Sequence, residues 1–218
     1  MPYRKAFRKL GINPNKYLCS IEALLTRIAK KKGLPHINPI VDLGNAISLK
    51  YTVPLGAHDI TDCREDICVR LAKNEDIFLP FGGEKEEIPD AGEVVYAVGN
   101  QVRTRRWTWR QSEHGKIGPE SANIFFPIDG FMNFNKEEVL MARDELVECL
   151  NHVFRCQTKT GFIKFKGNNA SLEAVWLSLI CNILLNNFFR DITYTTCKVP
   201  IRPESIFFPK VGSKIIAV

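Results

Sequence analysis

Eight residues, Arg103 to Arg110, read RTRRWTWR and set four arginines among two tryptophans. Guanidinium groups beside indoles suit a nucleic-acid surface, where the cation neutralises phosphate and the ring stacks on a base. As a strand, the segment would put Arg103, Arg105, Trp107 and Trp109 on one face, with Arg106, Thr108 and Arg110 on the other. The plainer reading has the tryptophans filling a core and the arginines pairing with the acidic stretch 59–93. A mixed outcome buries Trp107 and leaves Arg110 lining a cleft. Lys30, Lys31 and Lys32 could hold phosphate, or could simply end a helix, where cations meet the negative pole of its dipole.

His58 stands beside Asp59. An imidazole with an ordinary pKa near neutrality could hold or activate water as a general base, or could satisfy a loop hydrogen bond. Asp42 and Asn45, three residues apart, share one side of any helix over 40–50 and could line a pocket or fasten local backbone. Ser112 and His114, within QSEHG, invite a nucleophile reading but have no identifiable partner acid, so a polar turn is expected. The seven cysteines include no Cys-x-x-Cys pair and spell neither a zinc site nor a disulfide framework. Phosphate-cradling glycine loops, HExxH and GxSxG are absent from the sequence. No metal or cofactor is expected.

The elements that must position these groups can be read from periodicity. The chain has 218 residues, 45% hydrophobic and 25% charged, which suits one large domain or a domain with a small appendage and excludes wholesale disorder, collagen-like repeat or coiled coil. No window holds the roughly 18 to 20 apolar residues needed to cross a bilayer, and the basic N-terminus is followed by no apolar run. A soluble, cytoplasmic protein is the expectation. Residues 1–33 hold nine lysines or arginines against the single acid Glu22, leaving +8 there and −2 over the rest of a chain of net charge +6. An anionic partner at that end is implied, nucleic acid being the commonest.

A short basic helix is expected over 2–10. Ser20 reads as the N-cap of a second helix, with Ile21, Leu24, Leu25 and Ile28 on one face and the three lysines in its last turn. A third helix fits 40–50, followed by an extended VPLGAHDI. Short strands are expected at 66–71, 77–81, 93–98, 102–110 and 123–128. Asn135 with Glu138 gives a capping signal for a helix carrying Val139, Leu140, Leu146, Val147, Leu150 and Phe154. This order predicts an α+β fold, a mixed or antiparallel β core of short strands framed by N-terminal and C-terminal helices, over residues 1–155. Residues 156–218 form an extension. Its apolar run SLEAVWLSLICNILLNNFF is expected to be a buried or partner-facing helix, with 172–189 available to a protein partner or to self-association.

One longer pattern spans Ser20 to Asp59: Ser20, Leu24, Leu25, Arg27, Leu34, Ile37, Asn38, Val41, Asp42, Asn45, Pro54, Ala57 and Asp59 at their spacing. With ICVR at 67–70, Ala72, the strand from Gly92 to Tyr96 and RRWTWRQS at 105–112, it resembles the tRNA-binding and editing domain of the phenylalanyl-tRNA synthetase beta subunit. The likeness is greater to the free-standing bacterial and archaeal proteins built of that domain alone, and it covers the first two-thirds of the chain. In the parent subunit the domain hydrolyses the ester that links a wrong amino acid, chiefly tyrosine, to the terminal ribose of tRNA(Phe). The resemblance therefore implies a tRNA or aminoacyl-tRNA 3′ end as partner, a held water and hydrogen-bond donors for an oxyanion. It implies no metal. The chain is too short to hold an adenylate-forming domain as well, so aminoacylation is not expected of it.

By the resemblance, the pocket asparagine falls on Asn45, and Gly44 stands where the family has threonine. The pocket histidine falls on Gly56, while this chain has His58 two residues later, about 7 Å along an extended strand and on the same face. The glutamate that reads the tyrosine hydroxyl falls at or near Pro127, and a Gly-rich wall is replaced by Trp107, Thr108, Trp109 and Arg110. The expected pocket thus has Asn45 and His58 as catalytic groups and Asp42, Gly56, Trp109 and Arg110 around the substrate. Arg103, Arg105, Arg106 and Lys30 to Lys32 would meet the nucleic acid. The alternative is a binding module for RNA, a nucleotide or an amino acid that lacks the hydrolytic groups.

Overall fold

The computed structural model describes residues 2–161 and the backbone of the strand 193–198. Its α+β architecture is the one expected, and every pairing between two of its strands is antiparallel, an isolated Ile77–Gln101 bridge being parallel. Three helices come first: α1 (Pro2–Lys9), α2 (Ser20–Ala29) and α3 (Pro39–Tyr51). The strands β1 (His58–Asp59), β2 (Ile67–Leu71), β3 (Val94–Val98), β4 (Gln101–Arg105), β5 (Arg110–Gln111) and β6 (Ile124–Phe125) follow. Then come α4 (Lys136–Val153), β7 (Gln157–Gly161) and β8 (Thr193–Lys198). One sheet has the order β2-β3-β4-β5 and the other β1-β6-β8-β7. The expected apolar helix over 171–189 lies outside the described residues.

Helix spacing explains the main core. Tyr3, Ala6 and Phe7 of α1, Ile40, Gly44, Ile47 and Ser48 of α3, and Val139, Ala142, Leu146 and Leu150 of α4 recur at three- and four-residue intervals, and all are buried. They pack on the inner face of β3, which alternates sharply. Val94, Tyr96 and Val98 join the main core, while Val95 and Ala97 face a smaller cluster with Phe78 and Val102. A Cβ on Gly44 would lie 3.0 Å from the Leu55 side chain, so the glycine lets α3 sit close against the segment that leads into β1.

Three local expectations need correction. Ser20 is the first residue of α2, not its cap: Cys19 is the N-cap and makes no side-chain capping bond, while the Ser20 amide donates to the Thr108 carbonyl at 2.8 Å. Asn135 does precede α4, but its side chain makes no cap; it accepts from the Phe131 amide and donates to the Tyr3 hydroxyl, both at 2.8 Å. The strand expected over 102–110 is two short strands around a turn. Arg106 (φ 47°) and Trp107 (φ 62°) take the left-handed conformation, which breaks the alternation and drops Trp107 into the core at 0% exposure. Arg103, Arg105, Trp107 and Trp109 therefore share no single face.

Candidate functional site

The arginine-rich segment divides into two surroundings. Arg105 is held by Glu93, with Nε at 3.0 Å and Nη2 at 2.8 Å from its carboxylate, and by Glu87 at 2.7 Å. Arg106 donates to Asp90 at 2.5 Å, and its amide donates to Glu93 at 2.8 Å. Both are buried and compensated, so the acidic stretch does take up these two cations. Arg106 also lies over two rings, 4.0 Å from the Tyr17 centroid and 4.9 Å from that of Trp109, while Tyr17 and Trp109 meet edge to face at 4.7 Å. Arg110, exposed and in no ion pair among the described residues, approaches the Trp109 ring at 6.0 Å, and Lys16 lies 5.1 Å from the Tyr17 ring. The result is a cationic, half-exposed aromatic platform to which the sequence pattern had assigned Trp109, Arg106 and Arg110 but not Tyr17 or Lys16.

Lys30, Lys31 and Lys32 are exposed at the far end of α2, Lys30 as its C-cap. Ten helical residues rise about 15 Å, so they stand well away from Ser20 and the platform beside it. They form a second cationic area.

Arg103 is placed differently by a register change in β4. Tyr96 pairs with Thr104 and Ala97 with Val102, so Arg103 is one residue more than β3 can match. Such a bulge re-aims the side chains around it. Arg103 donates to the Cys63 thiol at 3.4 Å, and its Nε–H has no acceptor among the described residues. Thr104 brings its hydroxyl 3.4 Å from His58 Nε2. His58 itself pairs with Phe125 in the ladder and lies against both Tyr96 and Phe125, at centroid distances of 5.8 and 6.1 Å, with those two rings 6.5 Å from each other.

This environment sets the chemistry of His58. At 2% exposure, burial first and then the charge of Arg103 push its pKa down to about 3, so the ring is neutral at pH 7. His114 is lowered for the same two causes, in the same order. Among the described residues four buried side-chain polar atoms lack a hydrogen-bond partner. Three of them, His58 Nδ1, Arg103 Nε and His114 Nε2, belong to this cluster, and the fourth is Thr108 Oγ1. Sequence reasoning singled out His58 and Arg103 but set His114 aside as a turn residue. Nothing in its spacing announces its nearness to Arg103, which depends on how the loop after β5 folds back to bring Gly115 against the guanidinium.

Gly56 does lie beside His58: a Cβ on it would sit 3.5 Å from Nε2 and 3.2 Å from Pro127. The two positions on which the resemblance placed the pocket histidine and glutamate are thus neighbours here, occupied by glycine and proline. Asn45 and Asp42 stay on α3. Asn45 is half-buried, and Asp42 is engaged locally, accepting from the Ile37 amide at 3.0 Å and pairing with His36. Among the described residues no hydrogen bond or ion pair joins either of them to His58.

A second buried centre lies on the other side of Tyr96. Asp129 accepts from the Tyr96 hydroxyl at 2.8 Å and from Trp107 Nε1 at 2.7 Å, and its carbonyl accepts from Tyr3 at 2.9 Å. Burial raises its pKa to about 6 against the opposing pull of Trp107 and Tyr96. Among the described residues no group of three or more His, Cys, Asp or Glu could hold a metal ion, and no helix is long and apolar enough to cross a membrane.

A family model described as the B3/4 domain matches residues 2–149. No curated protein matches the chain.

Proposed function

Because the chain belongs to the B3/4 domain family, a domain found in the phenylalanyl-tRNA synthetase beta subunit, we propose that it is a tRNA-related domain whose basic activity is to bind the 3′ end of a tRNA or aminoacyl-tRNA. The observation that carries this reading is the platform of Tyr17, Arg106 and Trp109 with the exposed Arg110 beside it. Rings receive an unpaired base, and free guanidinium and ammonium groups neutralise the adjoining phosphates. Lys30 to Lys32 offer a second positive area at the far end of α2, where the body of the RNA would run.

The surroundings of His58 favour binding at the platform over ester hydrolysis as the activity. His58 is buried against two rings and is a weak base at neutral pH, and glycine and proline occupy the positions on which the resemblance placed the family's pocket histidine and its tyrosine-reading glutamate. Hydrolysis in trans of a mischarged aminoacyl-tRNA is the second reading, favoured by the family match and by the half-buried Asn45 at the position of its pocket asparagine.

Titration with an acceptor-stem RNA bearing a single-stranded 3′ end, over several salt concentrations, tests the first reading. Affinity should fall steeply with salt. Trp109→Ala should weaken it roughly 5- to 150-fold, the worth of one stacked base. A salt-independent affinity that is the same in the variant removes the RNA reading. A deacylation assay over mischarged tRNAs separates the two: acceleration above the spontaneous rate would establish hydrolysis, and none would leave binding alone.

A further inference from the structure

Arg103 is the exception among the buried arginines. Arg70 faces Asp76 through two bonds of 2.6 Å, Arg105 faces Glu93, and Arg106 faces Asp90. Arg103, at 7% exposure, donates among the described residues only to a thiol. Asp59 is near enough for its charge to be felt, but it accepts from the Thr61 amide and hydroxyl and, through its other oxygen, from Ser121. A buried cation without a carboxylate partner is costly to keep. The cost is shared by two more unpartnered nitrogens, His58 Nδ1 and His114 Nε2. Such a cluster marks a place that a ligand completes.

We propose that Arg103, His58 and His114 form a binding site for a small oxyanion, the phosphate or carboxylate group of a larger molecule, reached past the half-exposed His114 and Cys63. The guanidinium supplies the charge and a planar set of donors that suits two oxygens at once. In the tautomer whose Nε2 accepts from the Thr104 hydroxyl, His58 keeps Nδ1–H to donate to the anion. Both imidazoles stay neutral beside the arginine and contribute dipoles without adding charge. Gly115 (φ +72°) closes the loop over the guanidinium, and a side chain there would fall on Arg103. The site is separate from the aromatic platform and does not depend on RNA binding there.

The full chain is titrated with inorganic phosphate, with acetate and with a nucleoside monophosphate, against sodium chloride at equal ionic strength. Imidazole NMR signals and the melting temperature are followed. The His58 and His114 signals should shift together and saturate, and the melting temperature should rise. Arg103→Gln should weaken binding tenfold or more, as expected for losing a charge-assisted contact, while Arg143→Gln on α4 changes nothing. Should Arg103→Gln not fold, His114→Ala gives the same reading from a loop position. Preference for phosphate or for acetate assigns the source of the anion. A response indistinguishable from that to chloride, or equal affinity in the folded Arg103→Gln or His114→Ala variant, overturns the proposal.

Discussion

Two buried polar centres lie on either side of Tyr96, and they are built on opposite plans. At Asp129 the carboxylate faces two donors, the carbonyl a third, and Asn135 ties Tyr3 to the turn before α4. At Arg103 a guanidinium and two imidazoles each keep a buried nitrogen without a partner among the described residues. A centre whose hydrogen bonds close on themselves holds the fold together. One whose bonds stay open gives up stability for something outside the chain. Tyr96 serves both, bonding Asp129 through its hydroxyl and stacking on His58 with its ring.

The largest effect is expected at the closed centre. Asp129→Ala orphans the Tyr96 and Trp107 donors at about 1–3 kcal/mol each, so chemical denaturation should show a loss of about 2–6 kcal/mol. His58→Phe, which replaces an under-bonded ring by an apolar one beside two aromatics, should cost about 1.5 kcal/mol or less at pH 7. Similar losses at the two positions would erase the contrast.

Acid titration sharpens it further, because the two groups act with opposite sign. Asp129 titrates at about 6 in the fold against an ordinary 3.8, so the folded state holds the extra proton and stability from this group falls as pH rises through that window. His58 titrates at about 3 against 6.5, so the unfolded chain holds the extra proton and stability rises as pH climbs from about 3 to 6.5. Between pH 3.8 and about 6 the two slopes oppose each other, each about 1.4 kcal/mol per pH unit. Stability measured across this range should rise more steeply with pH in Asp129→Asn than in the unsubstituted chain, and less steeply in His58→Phe. Parallel curves would show that neither group is perturbed.

The smallest effect on stability belongs to the exposed lysines. Replacing Lys30, Lys31 and Lys32 by Gln should change the unfolding free energy by about 0.5 kcal/mol or less. The same change should flatten the salt dependence of RNA binding by up to about 0.7 in log–log slope for each phosphate no longer neutralised. An unchanged slope would confine the RNA to the platform at the other end of α2.

The helices were legible because burial imposes a period: Ile21 and Leu24 of α2, or Val139, Leu146 and Leu150 of α4, announce their faces in the sequence. The segment 103–110 was not, for a definite reason. Its turn is made by an arginine and a tryptophan at positive φ, where glycine or asparagine is the usual signal, so residues that read as an alternating strand fold back on β3 through the Trp107 amide and Val94 carbonyl at 2.7 Å. His58 and Gly56 were expected to be neighbours and are, since positions two apart on an extended segment share a face. His114 was missed because a loop with no periodicity carries it to Arg103 from the other side of the hairpin.

The bulge at Arg103 bears on how such a site can arise. Deleting that one residue from β4 would let Val102 and Thr104 follow Ala97 and Tyr96 in unbroken register, with the hydrophobic ladder intact and the unpaired cation gone. The cation of the proposed anion site thus hangs on a single residue laid over a ladder that closes without it, so removing one amino acid would take away the charge and leave the strand pairing alone.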